Sequence, residues 1–295
     1  MLNHLWDQEG VPSRVVILGG HGFIGSEICK KVKEKKIPIL NPSKTECDLS
    51  KSDAPEKLKK SIRPDDVLVF VAAQAPCKDI DMFLNNIQMV KNVAQVIADV
   101  GIDHVVYVSS DAVYSDSKEL ITEKSCASPT SLHGIMHLSR EIVLKQVCEN
   151  QLAIVRPTLI YGLNDPHNGY GPNRFRRLAA EGNEIVLFGG GEELRDHVSV
   201  EDVAELVVSI IGRRSVGVVN AVSGEVVSFL SLAEFTGTAL NINVKIQKTP
   251  RVGIIPHNGY RAFDSSALRT AFPNLRFRSW ADGVGGVIKD HLRYK

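Results

Sequence analysis

The sequence predicts an α/β fold, in which a doubly wound parallel sheet carries a smaller, interleaved C-terminal lobe. Three observations predict it. Apolar runs such as residues 15–18 and 67–73 are typical of parallel strands that are buried on both faces. Segments with helical periodicity, such as 83–100 and 133–148, alternate with the strands. A glycine-rich turn directly follows the first apolar run, as in the Rossmann arrangement.

The glycine-rich turn predicts a site for a dinucleotide. Gly19 permits a tight turn, Gly22 lets the backbone approach a pyrophosphate, and Gly25 lets helix and strand pack closely. The unpaired amides of the following helix then face the phosphates. The predicted contacts of this turn are Gly19, His21, Gly22, Phe23, Ile24 and Gly25.

The other elements follow in order, with regular alternation in the first half of the chain. Helices are predicted over 24–36, 83–100, 133–148, 201–211, 230–240 and 279–292. A further charged helix is predicted after Leu49 and ends at about residue 62. Further strands are predicted over 37–40, 67–73, 104–110, 152–156, 185–188, 216–222 and 244–247, with an irregular glycine-rich segment up to Arg174. The predicted dinucleotide-binding domain is 1–160, with returning segments around 185–222. Residues 161–295 are expected to form mainly the substrate-binding lobe.

The end of the second predicted strand bears on the choice of cofactor. NAD-preferring folds usually place an acid there to hold the ribose hydroxyls, but this chain has Asn41-Pro42-Ser43-Lys44. Ser43, Lys44 and the nearby His21 are compatible with a ribose 2′-phosphate. The sequence therefore favours NADP over NAD.

Composition excludes several classes of partner. The 35 lysines and arginines nearly balance 34 acidic residues without a dense basic run, so no nucleic-acid partner is expected. No apolar run reaches membrane-spanning length, and the charged segment 1–13 does not resemble a signal peptide. Five cysteines without a Cys-x-x-Cys pair are typical of a reducing cytoplasm.

Several short motifs occur in a fixed order along the chain. They are Gly19-x-x-Gly22-x-x-Gly25, Asp48-Leu49, Ala72-Ala73, Asn86, Ser109-Ser110-x-x-Val113-Tyr114, Arg156-Pro157-x-x-x-Tyr161-Gly162 and Arg195-Asp196-x-Val198. With this set the chain resembles, over nearly its full length, the extended short-chain dehydrogenase/reductases that modify nucleotide sugars.

The resemblance implies an NAD(P)-dependent enzyme acting on a nucleotide-activated sugar, as an epimerase, reductase or dehydratase. It implies that Asp48 reaches the adenine, and that Arg195 takes a sugar-nucleotide phosphate, for which a guanidinium is well suited. It implies further cofactor contacts from Leu49, Ala72, Ala73, Asn86 and Pro157, and substrate contacts from Gln74 and Arg174. A homodimer through the helices 83–100 and 133–148 is also implied.

The chain departs from this family at the catalytic pair. The family has Tyr-x-x-x-Lys at the start of the helix after the serine motif. Matching residues at Pro129, Ser131, Gly134 and Glu141 fix the register, which puts His133 at the tyrosine position and His137 at the lysine position. A literal Tyr-x-x-x-Lys at 114–118 lies only a few residues past a strand, and we do not interpret it as catalytic because geometry precedes pattern.

Imidazole can exchange a proton at neutral pH without help from a lysine. The sequence thus predicts His133 as the acid/base, Ser110 as hydrogen-bond partner of the substrate oxygen and His137 as a ribose contact. Asp111 adds a carboxylate that dehydratase-like relatives use as an acid. The alternative is a catalytically inactive NAD(P)-binding regulatory or scaffold protein. A metal pair at His133 and His137 has no third ligand in the sequence, so no metal is expected.

Overall fold

The computed structural model describes residues 2–293, so residues 1, 294 and 295, at the ends of the predicted domains, lie outside the described residues. Its helices are α1 Phe23–Glu34, α2 Ala54–Lys59, α3 Ile80–Val100, α4 Leu132–Cys148, α5 Pro172–Ala180, α6 Val200–Arg213, α7 Phe229–Leu240, α8 Ser266–Ala271 and α9 Trp280–Arg293. Its strands are β1 Asn3–His4, β2 Val15–Leu18, β3 Ile39–Leu40, β4 Val67–Phe70, β5 His104–Val108, β6 Leu152–Pro157, β7 Leu159–Tyr161, β8 Ile185–Phe188, β9 Leu194–Ser199, β10 Ser215–Ala221, β11 Val226–Ser228, β12 Ile246–Thr249 and β13 Tyr260–Arg261.

The large sheet has seven strands in the order β1-β10-β6-β5-β4-β2-β3. All neighbours in it are parallel except β1 and β10, which are antiparallel. Helices α1 and α6 cover one face, and α2, α3 and α4 cover the other. The predicted doubly wound parallel sheet is confirmed. Since β2 has β3 on one side and β4 on the other, the carboxyl end of β2 is a topological switch point, where ligands bind in such folds.

The smaller lobe packs α5, α7 and α9 around Phe175, Leu232 and Ile288. Strands β11, β9 and β13 form its principal sheet, to which β7 is joined by pairing with β9. Strands β8 and β12 form a separate parallel pair. None of the helices within residues 2–293 is long and apolar enough to cross a membrane.

The structure corrects three expectations about the second half. The segment up to Arg174 is not irregular throughout, because it contains β7 and the first turn of α5. The strand predicted over 244–247 lies at 246–249. The sequence predicts that the segment 185–222 returns to the dinucleotide-binding domain, but residues 185–188 pair with β12 instead. Within this segment, α6 and β10 are the elements that pack on or join the large sheet.

Candidate active site

A cavity of about 780 Å³ lies at the carboxyl ends of β2, β4, β5 and β6 and extends towards the smaller lobe. Its position follows from the parallel topology, because strand ends and helix N-termini meet at this edge of the sheet. The glycine turn lines one end, and residues of both lobes line the other.

The glycine turn is shaped by close backbone contacts. Gly19 has φ +98°, and a Cβ there would lie 2.6 Å from the backbone nitrogen of Ala72. A Cβ at Gly25 would lie within clashing distance of the Gly19 carbonyl oxygen. Gly22 is the N-cap of α1, and a Cβ there would meet only the Gly19 oxygen, at 3.3 Å. The space beside Gly22 is therefore open on its cavity side.

Most of the predicted cofactor contacts line this cavity. They are Gly19, His21, Gly22, Phe23, Ile24, Gly25, Lys44, Asp48, Leu49, Ala72, Ala73 and Pro157, together with the predicted substrate contact Gln74. The structure brings these residues together although they come from four separate segments of the chain.

Three predicted contacts do not line the cavity. The Ser43 hydroxyl donates a hydrogen bond to Glu46 at 2.7 Å, and the backbone amide of Ser43 donates to the same carboxylate at 2.8 Å. Asn86 is buried beneath the loop, where it accepts from the Gln74 amide and donates to the Gln74 carbonyl. Arg174 is exposed on α5. Asn86 therefore holds the backbone of Gln74, which lines the cavity, but does not itself line it.

The two serines after β5 have different partners. Ser109 is buried and donates to Glu141 at 2.6 Å. Arg156 binds the same carboxylate through two hydrogen bonds and also donates to the Tyr114 hydroxyl at 2.8 Å. Ser110 caps the short turn that follows, by accepting from the Ala112 amide at 3.1 Å. Ser110 is half-buried and lines the cavity, and its hydroxyl donates to the Asp111 carboxylate only at a long 3.5 Å, so it can turn to a ligand.

Asp111 lines the cavity but is engaged by a buried arginine. Arg261, on β13, donates from Nε to the Asp111 carboxylate at 2.8 Å and from Nη2 to the Asp111 carbonyl. Both the side chain and the backbone of Asp111 are therefore held by Arg261, and the acid role implied for Asp111 stays a prediction.

His133 and His137 lie one turn apart on α4, with their rings perpendicular and their centroids 4.7 Å apart. His133 is half-buried and lines the cavity. His137 is buried, and its Nδ1 is hydrogen-bonded to the Tyr107 hydroxyl at 2.8 Å. Burial, then the neighbouring His133 and Arg140, hold the pKa of His137 well below its usual value. A ring bound in this way is neutral at pH 7.

Arg140 is a fully buried cation beneath these rings. Its guanidinium lies 4.4 Å from the centroid of Phe70 and donates to the Ala72 carbonyl at 2.9 Å. It has no carboxylate within ion-pair distance in the described part of the chain. The aromatic face and the carbonyl stabilise its charge instead.

The far end of the cavity contains Arg195 and His197, which are two residues apart on β9 and so share one face of the strand. Arg195 is ion-paired with Glu193 at 3.0 Å. His197 Nδ1 bonds the Arg195 carbonyl at 3.1 Å, which leaves Nε2 as the lone-pair nitrogen of the ring. Burial, then the charge of Arg195, lowers the pKa of His197 to about 3. Arg195 therefore lines the cavity while paired with Glu193, and the phosphate contact implied for it stays a prediction.

Two further histidines reach the cavity from loops. His167 lies between β7 and α5, and its backbone amide is held by the Asp165 carboxylate at 3.2 Å. His257 is hydrogen-bonded to Asp116 at 2.5 Å. Neither residue is predicted as a site residue from the sequence, because no local motif surrounds it. Their proximity to His133 and Arg195 arises only from tertiary structure.

Comparison with known proteins gives a consistent result. The model of the NAD dependent epimerase/dehydratase family matches residues 15–222. A protein of Bacillus subtilis (strain 168), named as an uncharacterized UDP-glucose epimerase, is 22% identical over an alignment of 258 residues, and the match covers 75% of this chain and 81% of that protein.

Solved structures share the fold. A GDP-L-fucose synthetase from Naegleria fowleri bound to NADP superimposes with a TM-score of 0.84 at 17% identity, covering 99% of this chain and 97% of that one. A UDP-glucose 4-epimerase from Thermus thermophilus in complex with NAD has a TM-score of 0.83 at 21% identity, covering 95% of this chain and 99% of that one.

Proposed function

The chain belongs to the NAD dependent epimerase/dehydratase family, and we propose that it is an NAD(P)-dependent enzyme acting on a nucleotide-activated sugar. When bound, the nicotinamide supplies or accepts the hydride, and the protein orients the sugar against it. Ser110 and His133 meet the reacting carbon's oxygen, and Arg195 binds a phosphate.

One observation carries this proposal. A single cavity joins the glycine turn, which is shaped for a pyrophosphate, to Ser110, His133 and Arg195 at the other end. The space beside Gly22 and the free amides of the first turn of α1 fit the phosphates of a dinucleotide. The relatives named for UDP-glucose and GDP-L-fucose support a nucleotide sugar as the second ligand.

The test is incubation of the purified protein with NAD(P)⁺ or NAD(P)H and nucleotide sugars such as UDP-glucose, followed by mass measurement of the products. Mass analysis of small molecules released by denaturation identifies any ligand that co-purifies. Conversion of a sugar supports the proposal. Tight cofactor binding without conversion of any nucleotide sugar would contradict it.

The second candidate is a regulatory or scaffold protein that binds the cofactor without turnover. The observation that favours it is the engagement of two predicted catalytic side chains in internal contacts, Asp111 with Arg261 and His137 with Tyr107. The same incubation separates the two candidates, because only the enzyme changes the mass of a sugar.

We propose NADP as the preferred cofactor. With Ser43 bonded to Glu46, this preference rests on Lys44 and His21, which line the adenine end of the cavity. A lysine ammonium binds a ribose 2′-phosphate through a charge-assisted hydrogen bond.

NADPH is therefore expected to bind more tightly than NADH, and Lys44→Ala to narrow the difference by roughly tenfold or more, since a hydrogen bond to a charged group contributes about 1.5–3 kcal/mol. Fluorescence titration measures both affinities. Lys51→Ala is the control, because Lys51 is exposed and lies outside the cavity lining. Preference of the unmodified protein for NADH would contradict the assignment.

We also propose a homodimer formed by α3 and α4. Apolar side chains are exposed on both helices: Ile80 and Leu84 are 59% and 57% exposed on α3, and Ile135 and Ile142 are 39% and 59% exposed on α4. The first two are four residues apart and the others seven, so each pair lies on one helix face. In a dimer with a two-fold axis beside these helices, the apolar faces of α3 and α4 in one protomer contact the same faces in its partner, which is an isologous contact.

Ile142→Asp should convert the dimer to a folded monomer, because it places a charge within an apolar interface. Light scattering at micromolar concentration measures the mass. Val252→Asp is a matched control, since Val252 is 95% exposed on a loop away from these helices. A monomeric mass for the unmodified protein would contradict the dimer.

A cytoplasmic location remains part of the proposal. All five cysteines are free thiols, and Cys29, Cys47, Cys77 and Cys148 are buried. Microscopy of a fluorescent fusion tests the location, and a secreted fusion would contradict it.

A further inference from the structure

His133 lies at the start of α4, which packs against the loop that follows β5 and contains Ser110 and Ala112. Ser131 caps the helix by accepting from the Gly134 amide at 3.1 Å, which places His133 in the first turn. Any Cβ at Gly134 would clash with the Ala112 carbonyl oxygen, so glycine permits the close approach of α4 to this loop. The start of α4, which carries His133, is therefore held close to this loop.

One hydrogen bond decides which nitrogen of His133 carries the proton. The backbone amide of Cys77 donates to His133 Nδ1 at 3.3 Å. A backbone N–H can only donate, so Nδ1 must present a lone pair, and the neutral ring carries its hydrogen on Nε2. Nε2 has no hydrogen-bond partner among residues 2–293, and the ring lines the cavity. A ligand in the cavity therefore meets an N–H group.

The surroundings of the ring favour its neutral form. Burial lowers the pKa of His133, with a smaller contribution from His167, and Asp111 opposes both. Asp111 is itself paired with Arg261, and His137, the nearest group on α4, is neutral. The positive end of the α4 dipole adds to the same effect. At pH 7 the side chain is thus a hydrogen-bond donor and not a charged acid.

We propose that His133 is a fixed neutral donor that binds the keto oxygen of a nucleotide sugar, and that the reaction in this cavity is reduction of that keto group. The proposal rests on the proposed function and names the substrate class. Oxidation of a hydroxyl is assisted by a base that takes the hydroxyl proton, and an Nε2 that already carries hydrogen cannot be that base. A keto oxygen needs a donor, which a neutral imidazole at a helix N-terminus supplies.

The step balances with the cofactor of the proposed function. The carbonyl carbon gains a hydride from the dihydronicotinamide, which is oxidised, and the π electron pair of the C=O bond moves onto oxygen. The alkoxide is stabilised by hydrogen bonds from His133 and Ser110 and then takes a proton from water. Loss of one such donor typically costs about 10²–10³ in kcat.

The tautomer can be measured without any substrate. Long-range ¹⁵N–¹H correlation spectra of protein labelled with ¹⁵N-histidine distinguish the two ring nitrogens, and His133→Gln identifies the His133 signals. We expect a protonated Nε2, a bare Nδ1 and a pKa below the ordinary value of about 6.5, both alone and with NADPH. A hydrogen on Nδ1, or a charged ring at pH 7, would overturn the proposal whether or not a sugar is turned over.

Two probes and two variants test the chemistry. The keto probe is dTDP-4-dehydrorhamnose with NADPH or NADH, and the hydroxyl probe is UDP-glucose with NADP⁺ or NAD⁺. Glutamine at position 133 can donate a hydrogen bond but cannot titrate, whereas leucine can do neither. We expect reduction of the keto probe, retention of most turnover in His133→Gln, and a loss of about 10²–10³ in His133→Leu.

Oxidation of UDP-glucose that both variants abolish equally would identify His133 as a base and overturn the proposal. If neither probe reacts, the proposed function fails for these sugars, and the spectra alone decide whether His133 is the fixed donor.

Discussion

Gly22→Val should abolish cofactor binding while leaving the protein folded. Gly22 has φ −82° and ψ 176°, which valine adopts readily, and the added Cβ meets only the Gly19 oxygen at 3.3 Å. The branched side chain instead fills the space that a pyrophosphate needs. Each charge-assisted hydrogen bond lost costs roughly 1.5–3 kcal/mol, so loss of two weakens NADPH binding by about 10²-fold or more.

Two other glycines make this experiment specific. Gly25→Val should lower the thermal midpoint as well as the affinity, because its Cβ clashes with backbone of the turn itself. Gly286→Ala should lower neither quantity, since a Cβ there meets no atom within 4 Å and alanine favours the helix in which this residue lies. Fluorescence titration and thermal melting measure the two effects. Unaltered NADPH binding in Gly22→Val would remove the basis for the pyrophosphate site.

Glu141→Ala should cause a large loss of stability, of about 3–5 kcal/mol in the free energy of unfolding. The Glu141 carboxylate is fully buried and accepts two hydrogen bonds from Arg156 and one from Ser109. Removing it leaves a buried guanidinium without its counter-charge. Urea unfolding followed by circular dichroism measures the change.

The double variant Glu141→Met/Arg156→Met should recover part of this loss, because removing both charges leaves no unpaired ion in the core. Lys57→Ala is the exposed control. It breaks the solvent-exposed pair with Asp53, and we expect a far smaller loss than for Glu141→Ala. Equal losses in the free energy of unfolding for Glu141→Ala and Lys57→Ala would show that the buried ion pair contributes no more to stability than an exposed one.

The sequence predicted the large sheet well because its strands carry a strong local signal. Val15–Leu18 and Val67–Phe70 are apolar at every position, as strands covered on both faces must be. Strand β9 has the sequence Leu-Arg-Asp-His-Val-Ser, and its polar residues are buried although they are polar, because β7, β11 and β13 all pair with this strand. No apolar periodicity marks such a strand, so only its pairing reveals it.

The sequence indicates the place of a site residue where backbone geometry decides it, and not where side-chain orientation decides it. The glycine turn lies where its spacing indicates, because only glycine permits those contacts. Asn86 instead turns its amide to the Gln74 backbone, and Ser43 turns its hydroxyl to Glu46. The catalytic assignment of Ser110, His133 and His137 stays a prediction until the proposed spectra and variants are measured.

Strand β10 has a consequence for how the chain is assembled during synthesis. It lies between β1 and β6, although more than fifty residues, most of them in the smaller lobe, separate it from β6 in sequence. Until residue 221 has left the ribosome, β6 presents a free edge of unpaired backbone groups, which is a site for association with other chains. The large sheet is therefore completed only after β7, β8 and β9 of the smaller lobe have been made.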